Sequence, residues 1–136
     1  YRYAVHFPFA LNRAQGESLV RIPVKVDADG AVYCSGEVPE NGLLSVVRAV
    51  PPGSRETAEA VGGGVRDSRA DVVLAFYCAG RLMHLGERAA TEELATLAKV
   101  VAPQRILGVL CLGEIGSGRQ LYPAFHNATI AALPWC

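Results

Sequence analysis

Two apolar runs in this chain end alike, each passing through a glycine into a charged residue: Asp71–Cys78 into Ala79-Gly80-Arg81, and Ile106–Leu112 into Gly113-Glu114-Ile115. Runs of this length and composition read as strands covered on both faces. The segment between them, Gly80 to Arg105, is longer than the dozen or so residues a parallel crossover needs. Strand, helix and strand are therefore expected to form one right-handed β-α-β unit. In such sheets ligands bind outside the carboxyl ends of the strands, and glycine there permits a sharp turn or close approach of backbone to ligand. The spacing thus predicts a guanidinium, Arg81, and a carboxylate, Glu114, side by side at one sheet edge.

The residues before this unit read as β structure. Tyr1–Phe7 alternates loosely. Leu19–Val26 has period-two character and stops at Asp27-Ala28-Asp29-Gly30, a turn signal, after which Ala31–Val38 returns as the second arm of a hairpin. Pro23 lacks a backbone donor and places that strand at an edge or a bulge. Leu43–Val50 is a third apolar run, closed by Pro51-Pro52-Gly53.

Ser54 is positioned to cap a helix that Gly62-Gly63-Gly64 ends or loosens. Thr91 caps a second helix, Glu92 to about Val101, with acids in its first turn, Lys99 in its last, and Pro103 as its stop. A loop over Gly116–Phe125 and a short strand, Thr129–Leu133, complete the chain. The expected fold class is α+β: a mixed, largely antiparallel sheet with two main helices and one parallel β-α-β unit. At 136 residues the chain is expected to be one domain over 1–136.

Composition removes several function classes. Net charge is zero with both signs scattered, so there is no basic surface to steer nucleic acid or an anionic membrane. No apolar stretch approaches the roughly 20 residues of a membrane span. The chain begins at Tyr1 without a leader pattern and looks trimmed. Cys34, Cys78, Cys111 and Cys136 show no C-x-x-C spacing, which points to reduced thiols in a cytoplasmic protein. Arginine outnumbers lysine and Ala, Gly and Val abound, the flavour of a GC-rich bacterial genome.

Three groups of residues carry a resemblance to a known family: Tyr77-Cys78-Ala79-Gly80-Arg81, Gly108-Val109-Leu110-Cys111-Leu112-Gly113-Glu114-Ile115, and Phe125-His126-Asn127-Ala128-Thr129. With Val26–Gly30 and Gly36–Gly42 these resemble the C-terminal half of the FIST sensory domain, a bacterial and archaeal signal-input module also attached to F-box proteins. Ala128 departs from the glutamine usual there, and the N-terminal FIST half is absent from this sequence. The resemblance implies binding of small ligands such as amino acids and transmission to an N-terminal FIST half or an output signalling domain. A subgroup of full-length relatives is associated with haem and nitric-oxide sensing.

The candidate ligand-binding residues are Arg81, Gly113, Glu114, His126 and Asn127. A guanidinium fork suits a carboxylate, a carboxylate accepts from an ammonium, and His126 and Asn127 supply further donors and acceptors. The competing reading pairs Arg81 with Glu114 as a structural clasp and makes the chain an interaction module. His84 and Met83 are the residues a haem reading would use as axial ligands, but there is no haem-attachment motif and no cofactor is expected. Cys111, Glu114 and His126 can be drawn as a nucleophile triad, yet a buried thiol of ordinary pKa is inert, so the chain is read as a non-enzyme.

Overall fold

The computed structural model describes residues 6–14, 17–48, 53–117 and 122–136. The expected first strand, Tyr1–Phe7, falls mostly outside them; the first strand present is β1, Phe9–Leu11. It lies between β2 (Leu19–Val26) and β4 (Leu44–Val46), with β3 (Val32–Ser35) beyond β2, in an antiparallel sheet of order β3-β2-β1-β4. The predicted hairpin is β2–β3. The Asp27 carboxylate accepts the N–H groups of Asp29 and Ala31 at 3.1 and 2.9 Å, and Gly30 sits at φ +84°, the conformation glycine adopts without a Cβ penalty. Pro23 lies where the β2–β3 register shifts, between Pro23 and Lys25, as its missing donor requires. Of the run Leu43–Val50, only Leu44–Val46 is strand, and residues 49 and 50 lie outside the described residues.

Helix α1 spans Gly53–Val65 and runs straight through the glycines expected to end or loosen it. Ser54 lies inside its first turn rather than capping it. The reason for glycine at 62 is packing: a Cβ there would stand 2.7 Å from Val100 Cγ1 and 2.9 Å from Val100 Cβ. Each glycine costs the helix about 1 kcal/mol relative to alanine, and close approach of α1 to the facing helix offsets that cost.

Strand β5 (Val72–Cys78) leads into a short helix, α2 (Ala79–Leu85), and then α3 (Glu87–Val101). The second helix thus starts one turn before the expected Thr91 cap. Gly86, at φ +80°, breaks the path and its carbonyl accepts the Ala90 N–H, while Thr91 Oγ1 bonds back to the Glu87 carbonyl. Strand β6 (Arg105–Cys111) lies parallel to β5, in register from Val72↔Arg105 to Cys78↔Cys111, and β9 (Ile130–Trp135) pairs antiparallel on the other side of β5. The expected loop over 116–125 is instead framed by a two-stranded ladder, β7 (Glu114–Gly116) with β8 (Ala124–His126). The fold is α+β with a parallel β-α-β unit, its strands divided among three sheets.

Ala58, Ala90, Leu97 and Val101 of α1 and α3 pack on Val73, Ala75, Tyr77 and Ile130 of the β6-β5-β9 sheet. The expectation that β5 is covered on both faces fails. Its buried residues alternate, and Phe76 on the opposite face is 36% exposed, because both long helices lie on the same side. The first sheet meets this unit at the carboxyl ends of β5 and β6, where a Cβ on Gly80 would collide with Ile22 Cδ1 at 2.1 Å.

Candidate ligand-binding site

Arg81, in α2, and Glu114, in β7, both sit just past the carboxyl ends of the parallel pair, yet they do not bond each other. Arg81 turns toward α3. Its Nε donates to Glu93 Oε2 at 2.8 Å, its Nη2 donates to Glu93 Oε1, and its Nη1 donates to the Ala128 carbonyl at 2.9 Å. Tyr77 Oη donates to the same carboxylate at 2.6 Å. The clasp read from sequence therefore exists with a different partner, and the fork expected to take a ligand carboxylate is filled.

Glu93 escaped sequence reading because its partners are distant in the chain. A signal was present: it occupies the apolar stripe of α3 with Ala90, Leu97 and Val101, where a carboxylate must be paired or neutralised.

Glu114 is buried, 5% exposed, and its carboxylate is held by two neutral donors, the Thr129 hydroxyl on Oε2 and the Cys111 thiol on Oε1 at 2.9 Å. Among the described residues no cationic side chain pairs with it. Asn127 is 1% exposed. Its Nδ2 reaches Ser35 Oγ at 3.3 Å and the Leu112 carbonyl at 3.4 Å, while its Oδ1 is buried with no donor among the described residues. Flipping the amide would set two oxygens against each other at Leu112, so the assignment stands on its partners.

Between Asn127 and Thr129 the backbone turns through Ala128 at φ +58°, a region alanine rarely visits. It is pinned from both sides: its carbonyl accepts from Arg81, and its N–H donates to Cys78 Sγ at 3.2 Å. His126 stands opposite Glu114 in the β7–β8 ladder, but its Nε2 contacts the Gly116 carbonyl at 3.1 Å. It is not aimed at Cys111.

Gly113 joins β6 to β7 beneath Phe125, whose ring atoms lie 2.3 and 2.5 Å from where a Cβ would be; the same ring packs on Gly36, 2.8 Å from where a Cβ there would be. Glycine here admits an aromatic ring. Phe125 in turn is tied to the first sheet, since buried Arg21 donates to its carbonyl at 3.0 Å and to the Glu37 carbonyl at 2.8 Å. The arrangement is a buried, acceptor-rich cluster roofed by one ring that touches both sheets. A separate cleft of about 350 Å³ lies between α3 and β6, lined by Leu82, Leu94, Ala98, Ile106 and Leu110 with Tyr77. Its lining is apolar and unsuited to a zwitterion.

Cys34, Cys78, Cys111 and Cys136 are free thiols. Burial, and then the bond to the Glu114 carboxylate, push the Cys111 thiol from 9.0 up to about 12, so it is not a thiolate at neutral pH. Tyr77 moves up for the same reasons, burial first and then Glu93. In the window between 9.0 and about 12 the unfolded chain has lost a proton that the folded chain keeps, so stability falls as pH rises through it. The expected denaturation midpoint is level from neutral pH to about 9 and declines above, less steeply in Cys111→Ser. A midpoint level up to the thiol's folded value contradicts this assignment.

Met83 and His84 lie in α2, and the His84 ring faces His6 with centroids 6.2 Å apart. Among the described residues no helix is long and apolar enough to cross a membrane, and no group of three or more His, Cys, Asp or Glu side chains is placed to hold a metal.

Against known proteins, the FIST C domain family matches residues 1–117. The His126-Asn127 segment lies beyond the matched residues. No curated protein and no solved structure matches the chain. A match over most of the sequence, carrying Gly80-Arg81 and Gly113-Glu114 at the ends of the paired strands, shows that the chain belongs to the FIST C domain family, generally a sensory signal-transduction domain.

Proposed function

We propose that this domain is a non-catalytic sensor of a small polar ligand bearing an ammonium group, an amino acid being the simplest candidate, bound at Glu114 and Asn127 beside Gly113. The observation that carries the reading is a buried carboxylate that, among the described residues, has no cationic partner, together with a buried amide oxygen, Asn127 Oδ1, two residues before the carboxylate's Thr129 donor, that has no donor among the described residues. A buried acceptor left unpaired costs about 1–3 kcal/mol, and a ligand N–H group relieves that cost. Arg81 acts here as a positioning residue, holding the Ala128 carbonyl while Glu93 neutralises it. Entry requires the Phe125 ring to swing off Gly113. The same ring touches Gly36 and its carbonyl is held by Arg21, so its movement is felt in the first sheet. That is a route to an N-terminal FIST half or an output signalling domain in the cytoplasm.

A thermal-shift screen of the twenty amino acids tests the reading, because a ligand that binds only the folded state raises the midpoint by mass action. At least one amino acid is expected to raise it, and Glu114→Gln to abolish the rise while remaining folded. No rise with any of them favours a protein-interaction module. A rise that survives Glu114→Gln places binding elsewhere.

A further inference from the structure

We propose that buried Arg21 binds the carboxylate of the ligand, so that an α-amino acid lies between Arg21 and Glu114 in the place the Phe125 ring now fills. The proposal rests on the amino-acid reading above and supplies the cation that reading needs, since the Arg81 fork is filled by Glu93. Arg21, on β2, is 4% exposed and forms no ion pair among the described residues. Its Nε donates to the Glu37 carbonyl and its Nη1 to the carbonyls of Val20 and Phe125, while Nη2 has no hydrogen-bond partner among those residues. Burial disfavours its charge, and the groups that favour it, Cys34 and the exposed Glu37 carboxylate, form no ion pair with it. A buried guanidinium is costly unless an anion pairs it. Arg21 therefore wants an anion as Glu114 wants a cation, and a zwitterion carries both.

Two glycines and one ring connect the two charges. A Cβ on Gly36 would stand 3.1 Å from Arg21 Nε and 2.8 Å from Phe125 Cδ1, and a Cβ on Gly113 would meet the far side of the same ring and stand 3.1 Å from Asn127 Nδ2. The ring is thus seated between two bare backbone walls, with the guanidinium at one and the Asn127 amide at the other. Phe125 is half-buried, so displacing it exposes less apolar surface than displacing a core ring would. The space it vacates is one phenyl ring wide, and the nitrogen and carboxyl carbon of an α-amino acid are only about 2.5 Å apart. A main chain that short fits the slot with its ammonium toward Glu114 and its carboxylate on Arg21 Nη2. Glycine at both walls lets the ligand approach the backbone closely.

The test sets each of the twenty amino acids against its own α-amide, which keeps the ammonium and loses the carboxylate, by thermal shift and then calorimetry on the 136-residue chain at about pH 6, where both carry the charged amine. An amino acid that binds is expected to have an amide that binds about 10- to 100-fold more weakly, the loss of a charge-assisted hydrogen bond. In Arg21→Gln that preference disappears, acid and amide binding alike. Should this variant fail to fold, the comparison in the unaltered chain decides alone. An amide that binds the unaltered chain as tightly as its acid overturns the role of Arg21 and leaves the Glu114 reading standing. A preference for the acid that survives Arg21→Gln overturns it too, placing the carboxylate elsewhere. If neither acids nor amides bind, both readings fall together.

Discussion

Replacing Arg81 by methionine is expected to lower the unfolding free energy by about 3–5 kcal/mol, the cost of stranding one member of a buried ion pair. The Glu93 side chain has no solvent exposure and that of Arg81 only 15%. Without the guanidinium, Glu93 keeps a single donor, Tyr77 Oη, and the carboxylate must be neutralised or left uncompensated in the core. The same loss frees the Ala128 carbonyl and with it the left-handed turn at the end of the site. Converting all three partners, as Tyr77→Phe, Arg81→Met and Glu93→Leu, restores most of the stability, because no charge is then stranded. Urea denaturation at constant m measures both. A loss below about 1 kcal/mol for Arg81→Met, typical of an exposed pair, contradicts the burial argument.

Leu97→Ala is expected to cost about 2–5 kcal/mol. Leu97 is fully buried where α3 meets α1 and the sheet, and its Cδ1 lies 3.3 Å from the position a Gly62 Cβ would take. Since α1 and α3 are already in close contact through Gly62 and Val100, the helices have little room to close over the cavity. Adding Gly62→Ala does not rescue it. The new methyl meets the β-branched Val100 at 2.7 and 2.9 Å, and overpacking of that kind costs about 1–3 kcal/mol. A double variant more stable than Leu97→Ala alone contradicts this packing.

The elements legible in the sequence are those specified locally. The β2–β3 hairpin follows from Asp27 and Gly30, whose turn chemistry acts within four residues. The parallel β5–β6 pair follows from two apolar runs separated by a crossover. Gly62 misled, because its purpose lies across the fold: it makes room for Val100, as Gly113 does for Phe125, and neither neighbour is visible from the local sequence. Likewise the charges stand past the carboxyl ends of the parallel strands as expected but are not paired with each other, since Glu93 reaches Arg81 only after α3 has folded back. An apolar run identifies a strand face as buried without naming what buries it, which is why β5 read as covered on both sides within one chain.

The account rests on the cluster around Glu114 and Asn127 being a ligand site, and a two-dimensional amide NMR titration with the amino acid that most raises the thermal midpoint tests that most directly. The account predicts shifts at Gly113, Glu114 and Asn127 to Thr129, spreading through Phe125 to Gly36 and Arg21. Spectra unmoved at these residues at saturating ligand, or shifts confined to Leu82, Leu94 and Ala98 beside the apolar cleft, would contradict it.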